Sequence, residues 1–310
     1  MTVPDRKLRA AVLGSGNIGT DLAIKLRKSR RLDCAALIGR NLGSAGLARA
    51  QAEGIPVSAL GVNHILANPE AFDIVFDATS AAAHHEHAPA LEKAGMLVID
   101  LTPAKRGGFC VPSVNLSESL GASNVNMVTC GGQASSPIAY ALGATHDDVD
   151  YVEVVSSIAS RSAGPATRRN LDEYIHTTEA AIQSFSGARR SKAILNLNPA
   201  VPCINMQTTV FALVRNPNIE AFTAKLREIV ADIQRYIPGY EVLVWPKLDN
   251  GRVVTMVRVT GSGDYLPSYA GNLDIINCAA IAVAEEYAAQ RQGNDVEADG
   301  GNMGKLRVVR

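Results

Sequence analysis

Short apolar runs alternate with amphipathic segments over the first 130 residues. Compact apolar runs bounded by polar residues and glycines are typical of buried strands, and apolar positions spaced three and four apart are typical of helices. The pattern predicts strands at residues 8–13, 34–38, 73–78 and 96–101, and helices through residues 22–26, 47–54 and 88–94. Regular alternation of this kind predicts an α/β domain with a parallel, doubly wound sheet.

The pattern changes after residue 130, where strands are longer and fewer helices separate them. Strands are predicted at residues 152–158, 193–197, 210–214, 241–245 and 253–259, and helices at 171–185 and after Asn218. This arrangement predicts an α+β domain with an antiparallel sheet, one face of which is available to a partner subunit. An Ala-rich helix at residues 275–290 is apolar over much of its surface, so we expect it to return to the first domain.

A glycine-rich turn follows the first predicted strand. Gly14-Ser15-Gly16-Asn17-Ile18-Gly19 has the spacing G-x-G-x-x-G between a strand and a helix. Glycines in this context let the backbone approach a pyrophosphate at the helix N-terminus, which predicts a Rossmann-type dinucleotide-binding domain. Arg40 stands near the end of the second strand, where NAD-specific folds carry an acidic residue, so NAD and NADP both remain open.

A second strand-to-helix junction carries a cysteine. The apolar residues 125–128 lead to Thr129-Cys130-Gly131-Gly132, and a helix-compatible segment follows at 134–142. A thiol at a helix N-terminus lies beside free backbone N–H groups, which lower the thiol pKa and can hold an oxyanion on a bound carbonyl. Two interpretations remain open, a nucleophile and a buried structural cysteine.

Composition narrows the class of protein. Thirty acidic residues balance thirty basic ones and no basic stripe is present, which argues against nucleic acid as a partner. The five cysteines lack metal-ligand or disulfide spacing, and no apolar run reaches the length of a signal peptide or membrane span, which predicts a cytoplasmic protein. His84, His85 and His87 lack the spacing of helical metal ligands, so we expect a solvated helix start and no metal.

The order of these features suits one reaction. A thiolate adds to an aldehyde carbonyl, hydride passes to a nicotinamide, and the resulting thioester is transferred to water, phosphate or a second thiol. In this scheme Cys130 is the nucleophile and residues 14–19 hold the dinucleotide.

Six stretches resemble the acylating acetaldehyde dehydrogenases of bacterial meta-cleavage pathways for aromatic compounds. They are GSGNIGTDL, FDATSA, DLTPA, VNMVTCGGQA, SAGPATRRNLDEY and YLPSYAGNLDI, and they extend across most of residues 8–285. The resemblance implies oxidation of acetaldehyde or propanal with NAD+ and coenzyme A to the acyl-CoA and NADH. It also implies a homodimer that assembles with a 4-hydroxy-2-oxovalerate aldolase, which channels the aldehyde.

The resemblance also assigns site residues. It places the acyl-thioester on Cys130, and it places the dinucleotide contacts on Ser15, Gly16, Asn17, Ile18, Ser162, Ala163, Gly164, Pro165, Ala166, Thr167, Arg168, Arg169, Asn170 and Asn272. The implied organisation is a dinucleotide-binding domain at residues 1–130 completed by a helix at 271–290, a catalytic and dimerisation domain at 131–270, and a flexible tail at 291–310.

The sequence departs from the family where an aspartate is expected to help activate the cysteine. Thr208 stands at that position, and His176 is a candidate replacement base, with a solvated helix surface as the alternative. The segment between Trp245 and Arg252 is also shorter than in the family. Two other functions remain open: a phosphorylating semialdehyde dehydrogenase, and a non-catalytic nucleotide-binding subunit of an aldolase complex.

Overall fold

The computed structural model describes residues 6–299, and the side chains of residues 6–292. The first domain contains β1 (Leu8–Leu13), α1 (Asn17–Leu26), β2 (Leu32–Ile38), α2 (Ala45–Ala52), β3 (Val57–Ser58), α3 (Val62–Leu66), β4 (Ile74–Asp77), α4 (Ala81–Lys93), β5 (Leu97–Asp100), β6 (Gly108–Phe109), α5 (Pro112–Ser119) and β7 (Asn124–Asn126). Its seven strands form one sheet in the order β3-β2-β1-β4-β5-β7-β6. Every pairing is parallel, which confirms the predicted doubly wound sheet.

The strands of this sheet are apolar because helices cover both faces. All 4 residues of β4 and all 4 of β5 are buried, as expected for a parallel sheet between two helical layers. In β1, Val12 packs with Leu22 of α1 on one face, and Leu13 packs with Ile65 of α3 on the other. The loops after β1, β4, β5 and β7 therefore meet at one edge of the sheet, the edge at which such folds bind ligands.

The second domain contains α6 (Cys130–Gly143), β8 (Val149–Ala159), α7 (Pro165–Arg169), α8 (Leu171–Ser186), β9 (Arg190–Asn198), β10 (Met206–Val214), α9 (Ile219–Tyr236), β11 (Tyr240–Asp249) and β12 (Arg252–Val259), and helix α10 (Gly271–Asp299) follows it. Its strands form a five-stranded sheet in the order β11-β12-β10-β8-β9. The prediction of a wholly antiparallel sheet is wrong, since β8 and β9 pair in parallel. The reason is that α8 joins them as a crossover helix, so that β9 re-enters the sheet in the direction of β8.

Helices cover one face of this second sheet. The strands alternate accordingly, and in β10 the side chains of Met206, Thr208 and Val210 are buried beneath α6 and its neighbours. Leu213 on β10 and Ile194 on β9 are large apolar residues that are 41% and 36% exposed. One face of the sheet thus belongs to the core of the domain, and the other carries accessible apolar side chains.

Helix α10 returns to the first domain, as predicted. Its residues Ile276, Ala280 and Val283 belong to the same core as Leu22 and Leu26 of α1. Small residues on α10 allow the close approach of the two helices, since alanine adds little bulk beyond the backbone. The helix thereby fixes the position of its own N-terminus relative to α1.

The end of α10 differs from the prediction. Residues 291–299, assigned to a tail, continue the helix, and residues 300–310 lie outside the described residues. Although α10 has 29 residues, no helix within residues 6–299 is long and apolar enough to cross a membrane.

Polar contacts also hold α10 against α1. Lys25 Nζ lies 2.8 Å from Asp274 Oδ1 and 2.6 Å from Asp264 Oδ2, in an ion-pair cluster from which solvent is largely excluded. Asn277 Nδ2 donates to the Ile18 carbonyl at 3.1 Å. These bonds tie the start of α10 to α1.

Candidate active site

A cavity of about 680 Å³ lies where the loops of the first sheet meet the second domain. Predicted site residues from four segments line it, namely Ser15, Gly16, Asn17, Ile18, Cys130, Ser162, Gly164, Pro165, Ala166, Thr167, Arg169, Asn170 and Asn272. Two predicted residues, Ala163 and Arg168, are absent from this lining. The Arg168 guanidinium instead donates to the carbonyls of Ala163 and Ser160, both at 3.0 Å. Arg168 therefore braces the segment whose neighbours face the cavity.

Three glycines of the turn between β1 and α1 have different structural roles. Gly14 has a φ of 117°, and a Cβ there would lie 2.5 Å from the carbonyl oxygen of Ala78. A Cβ on Gly19 would lie 1.8 Å from the Gly14 carbonyl oxygen, so the helix packs directly on the turn. A Cβ on Gly16 would meet nothing within 4 Å, since this residue faces the open cavity. Gly16 is also the N-cap of α1, where free N–H groups suit a phosphate.

The end of β2 contributes a cation to the same cavity. Gly39 and Arg40 both belong to its lining, and Arg40 is exposed. A Cβ on Gly39 would lie 2.7 Å from Ser15 Oγ, which is hydrogen-bonded to Ser44 Oγ at 2.9 Å. Hydroxyl groups and a guanidinium therefore stand where an acidic side chain would favour NAD over NADP.

The loop before Cys130 has a strained backbone. Val128 has a φ of 61°, a left-handed conformation that β-branched residues rarely adopt. Its N–H donates to Asn126 Oδ1 at 2.8 Å, and Asn126 Nδ2 donates to Asp100 Oδ2 at 2.7 Å. Strain of this kind persists only where surrounding bonds hold it, and it is concentrated at functional sites. The loop thus fixes the direction in which the chain enters the second domain.

Cys130 is the first residue of α6, which confirms the prediction of a thiol at a helix N-terminus. The helix begins at Cys130 rather than at residue 134 because Thr129 caps it, with Oγ1 accepting from the Gly132 N–H at 2.8 Å. The side chain of Cys130 is partly exposed and faces the cavity. It is therefore accessible to a small aldehyde on the side from which a bound dinucleotide would approach.

The expected lowering of the thiol pKa is wrong as a net effect. Burial raises the pKa of the Cys130 thiol to about 11. Hydrogen bonds from the Tyr174 hydroxyl and from the backbone N–H groups of Gly131 and Cys130 lower it, as the helix terminus predicts, but the loss of solvent outweighs them. Reactivity near neutral pH therefore depends on each group that stabilises the thiolate.

Tyr174 is a functional candidate that sequence reasoning missed. Its hydroxyl lies 3.8 Å from Cys130 Sγ, and its side chain is buried. His176, the predicted candidate base, is exposed on another face of α8 and does not line the cavity. The helical spacing of Tyr174, Thr178 and Ala181 was the available signal, because it marks the buried face of this helix.

Thr208, the residue that replaces the expected aspartate, lies inside the second domain. It is only 1% exposed, and its Oγ1 is hydrogen-bonded to Ser156 Oγ at 2.9 Å. Ser156 Oγ in turn lies near the hydroxyl of Tyr174, since a Cβ on Gly131 would lie 3.0 Å from the first and 2.1 Å from the second. Position 208 is therefore connected to the cysteine through side-chain hydroxyl groups.

Within the histidine cluster, His84 differs from the expected solvated helix start, whereas His85 is exposed. His84 is fully buried, with Nδ1 lying 3.0 Å from Asp77 Oδ2 and Nε2 lying 3.5 Å from Asp100 Oδ2. Burial raises the pKa of Asp100 to about 7. Burial also opposes ionisation of Asp77, but hydrogen bonds led by that from His84 lower the pKa of Asp77 to about 2. His84 thus lies against Asp100. Asp100 in turn holds the loop before Cys130 by accepting the hydrogen bond from Asn126.

Asn272 offers unused hydrogen-bonding groups to the cavity. It is 1% exposed at the start of α10, and neither its Oδ1 nor its Nδ2 has a hydrogen-bond partner among the described residues. A buried amide with both groups unpaired is unfavourable unless a ligand satisfies it. A carboxamide has the matching donor and acceptor, so Asn272 fits the amide of a nicotinamide.

Comparisons with known proteins agree with both domains. Residues 130–267 match the family described as "Prokaryotic acetaldehyde dehydrogenase, dimerisation", and residues 9–121 match "Semialdehyde dehydrogenase, NAD binding domain". An acetaldehyde dehydrogenase of Pectobacterium atrosepticum is 57% identical over 295 residues, which cover 94% of this chain and 100% of the relative. One of Spirochaeta aurantia is 58% identical over 283 residues, which cover 91% of this chain and 95% of the relative.

A solved structure resembles the whole arrangement. The aspartate semialdehyde dehydrogenase of Candida albicans with NADP has a TM-score of 0.63 and 15% identity, and the match covers 90% of this chain and 99% of that chain. At this identity the likeness concerns the fold alone.

Fold and site together define a dinucleotide-binding dehydrogenase of semialdehyde dehydrogenase architecture, with a cysteine facing the cofactor cavity. The identity to curated relatives narrows the class further. The chain belongs to the acetaldehyde dehydrogenase family, and the resemblance noted in its sequence is confirmed.

Proposed function

We propose that the protein oxidises acetaldehyde or propanal with NAD+ and coenzyme A, and releases acetyl-CoA or propanoyl-CoA and NADH through a thioester on Cys130. One observation carries the proposal: Cys130 lies at a capped helix N-terminus and faces the same cavity as the turn at residues 14–19. A nucleophile and a hydride acceptor need this proximity, because positioning supplies much of the rate.

The residues of the chain fit a dinucleotide. Gly16 leaves an open cradle at the N-terminus of α1 for the pyrophosphate, and Asn272 leaves two unpaired groups for the nicotinamide amide. Asn17 and the segment at residues 162–170 complete the walls of the cavity. When bound, the nicotinamide accepts a hydride from the carbon that carries the sulfur.

The chain itself supplies the covalent steps. The Cys130 thiolate forms a C–S bond with the aldehyde carbonyl carbon, and the carbonyl oxygen becomes an oxyanion beside the free N–H groups of α6. Loss of hydride restores the C=O bond and leaves an acyl-thioester. The thiolate of coenzyme A then attacks the acyl carbon, and the C–S bond to Cys130 breaks to return the free thiolate. One proton is released per turnover, from the coenzyme A thiol.

Absorbance of NADH tests the proposal against both alternatives. With acetaldehyde and NAD+, we expect NADH when coenzyme A is added and little when phosphate replaces it. Turnover with phosphate alone would indicate a phosphorylating dehydrogenase. A folded protein that binds NADH and turns over with neither acceptor would be a non-catalytic subunit.

Arg40 gives the first prediction for a variant. Its guanidinium lines the cavity at the end of β2, where it can pair with a 2′-phosphate, so the protein is expected to accept NADP+ as well as NAD+. Replacing Arg40 with Ala is expected to raise KM for NADP+ about tenfold, the effect of losing one exposed charge-assisted contact. KM for NAD+ should change less than about twofold, since that cofactor has no phosphate there. Equal changes in the KM values for NADP+ and NAD+ would show that Arg40 does not contact the 2′-phosphate.

We also propose a homodimer formed through the second domain. The open face of its sheet carries Phe211, Leu213 and Ile194, and a matching second copy would remove these apolar side chains from water. The description of the family matched by residues 130–267 supports this assembly.

We propose in addition that the homodimer associates with a 4-hydroxy-2-oxovalerate aldolase in a hetero-oligomer. A cytoplasmic location agrees with the five cysteines, all of which are free.

A further inference from the structure

Buried hydroxyl groups lead from Cys130 Sγ into the second domain. Tyr174 Oη lies 3.8 Å from Cys130 Sγ. The next hydroxyl is that of Ser156, which lies beside Tyr174 over Gly131 and is hydrogen-bonded to Thr208 Oγ1 at 2.9 Å. Tyr174 is 6% exposed, and Ser156 and Thr208 are each 1% exposed. These three side chains, named here the hydroxyl row, have no carboxylate among them.

We propose that the Tyr174 hydroxyl donates a hydrogen bond to the Cys130 thiolate and thereby stabilises the nucleophile, while Ser156 and Thr208 hold that hydroxyl in its donor orientation. Tyr174 is then a catalytic residue, because it touches the reacting sulfur, and the other two are positioning residues. The inference deepens the proposed function and rests on it, since it concerns the same nucleophile.

Hydrogen-bond chemistry gives the hydroxyl row one direction. A thiolate only accepts, whereas each hydroxyl donates one hydrogen and can accept another. Tyr174 therefore donates to the sulfur, and its oxygen can accept a hydrogen from Ser156, which can in turn accept one from Thr208. Burial and the neighbouring Cys130 raise the pKa of Tyr174 well above its usual range, so its phenol retains the proton it donates.

The identity of residue 208 decides how the row ends. A carboxylate at that position would accept a hydrogen from Ser156 and favour the opposite direction. Threonine ends the row with a donor, so that every hydroxyl can point towards Cys130. The departure at Thr208 and the presence of Tyr174 thus form one consistent arrangement, in which a donor to the thiolate replaces a base.

The packing around Tyr174 reserves space for its hydroxyl. A Cβ on Gly131 would lie 2.1 Å from Tyr174 Oη and 3.0 Å from Ser156 Oγ, so only glycine leaves room for both groups. Thr178 also links α8 to the start of α6, since its Oγ1 donates to the Tyr174 carbonyl at 2.7 Å and lies 2.7 Å from Thr129 Oγ1. The donor and the capped cysteine are therefore held in register by adjoining helices.

Alkylation of the thiol tests the proposal without aldehyde, cofactor or coenzyme A. The rate at which iodoacetamide modifies Cys130 is measured between about pH 7 and about pH 9.5, with the Cys130 peptide quantified by mass spectrometry, because the reagent reacts with the thiolate. We expect Tyr174→Phe to lower this rate about tenfold at each pH, the effect of losing one hydrogen bond to a charge. Tyr240→Phe is the matched control: it removes a buried hydroxyl that donates to the Ala134 carbonyl at 2.8 Å, and it should leave the rate unchanged.

A second pair of variants tests the direction of the hydroxyl row. Thr208→Val removes the terminal donor without changing the shape of the side chain, and we expect alkylation to slow about threefold, whereas Thr208→Ser should keep the parent rate. Thermal unfolding of every variant is measured alongside. Parent-like alkylation by a folded Tyr174→Phe would overturn the proposal. If that variant does not fold, equal rates for Thr208→Val and Thr208→Ser would overturn it, and a slower rate for Val alone would support it. If the variants show the expected differences in alkylation rate but the parent protein has no dehydrogenase activity, the proposed function is refuted and the role of Tyr174 stands.

Discussion

Cys130→Ser is expected to lower the formation of both NADH and acyl-CoA by at least roughly 10⁴-fold, because removal of a covalent nucleophile has effects of this size. A serine hydroxyl retains its proton near neutral pH, and the N–H groups at the start of α6 stabilise a thiolate far more readily than an alkoxide. The change is nearly isosteric at the first residue of a helix capped by Thr129, so the fold should be kept. Binding of NADH, followed by fluorescence, should be unchanged.

Mass spectrometry of the acyl-enzyme completes the test of Cys130. The parent protein, treated with acetaldehyde and NAD+ before coenzyme A is added, should carry one acetyl group on the Cys130 peptide. Cys203→Ser is the control, since Cys203 is a partly exposed cysteine that does not line the cavity. An acetyl group on another cysteine, or normal turnover by Cys130→Ser, would show that the nucleophile lies elsewhere.

Gly19→Ala is expected to lower the stability of the protein, whereas Gly16→Ala is expected to lower its affinity for the cofactor, although both glycines belong to the same G-x-G-x-x-G motif. A Cβ on Gly19 would lie 1.8 Å from the Gly14 carbonyl oxygen, so α1 must move away from the turn. We expect the free energy of unfolding to fall by roughly 3 kcal/mol, as for other overpacked sites. Calorimetry or denaturant unfolding measures this loss.

The Gly16 variant should instead keep its stability and lose cofactor affinity. A Cβ there meets nothing within 4 Å of the protein, so any loss should stay below about 1 kcal/mol, which reflects only a poorer helix cap. The methyl group would occupy the space in which the pyrophosphate approaches the backbone, and the Kd of NADH should rise about tenfold or more. Parent-like NADH binding by Gly16→Ala would mean that the dinucleotide does not lie over this turn.

Local sequence patterns were sufficient for the parts of the fold that depend on short-range chemistry. The apolar run of β1, the glycine turn after it and the helix after Thr129 each follow from backbone requirements that a few residues express. The same patterns could not show that β9 lies parallel to β8, because that depends on which edge of the sheet the chain reaches after α8.

The candidate site was predictable only in part for a similar reason. Cys130 and Gly16 carry their chemistry in their own residue type and spacing. His84 and Tyr174 acquire theirs from distant partners, Asp77 and Asp100 in one case and the cysteine in the other. The pKa of the Cys130 thiol likewise depends on how much solvent the whole fold excludes, and a local sequence pattern cannot predict that.

The strained loop at Val128 has a consequence for motion. The chain passes from the first domain to the second through this loop and returns through α10, whose Asn277 is bonded to the Ile18 carbonyl of α1. A hinge between the domains would have to bend both connections together, and the loop at Val128 is already fixed by its hydrogen bond to Asn126. We therefore expect the two halves to remain a rigid frame during turnover.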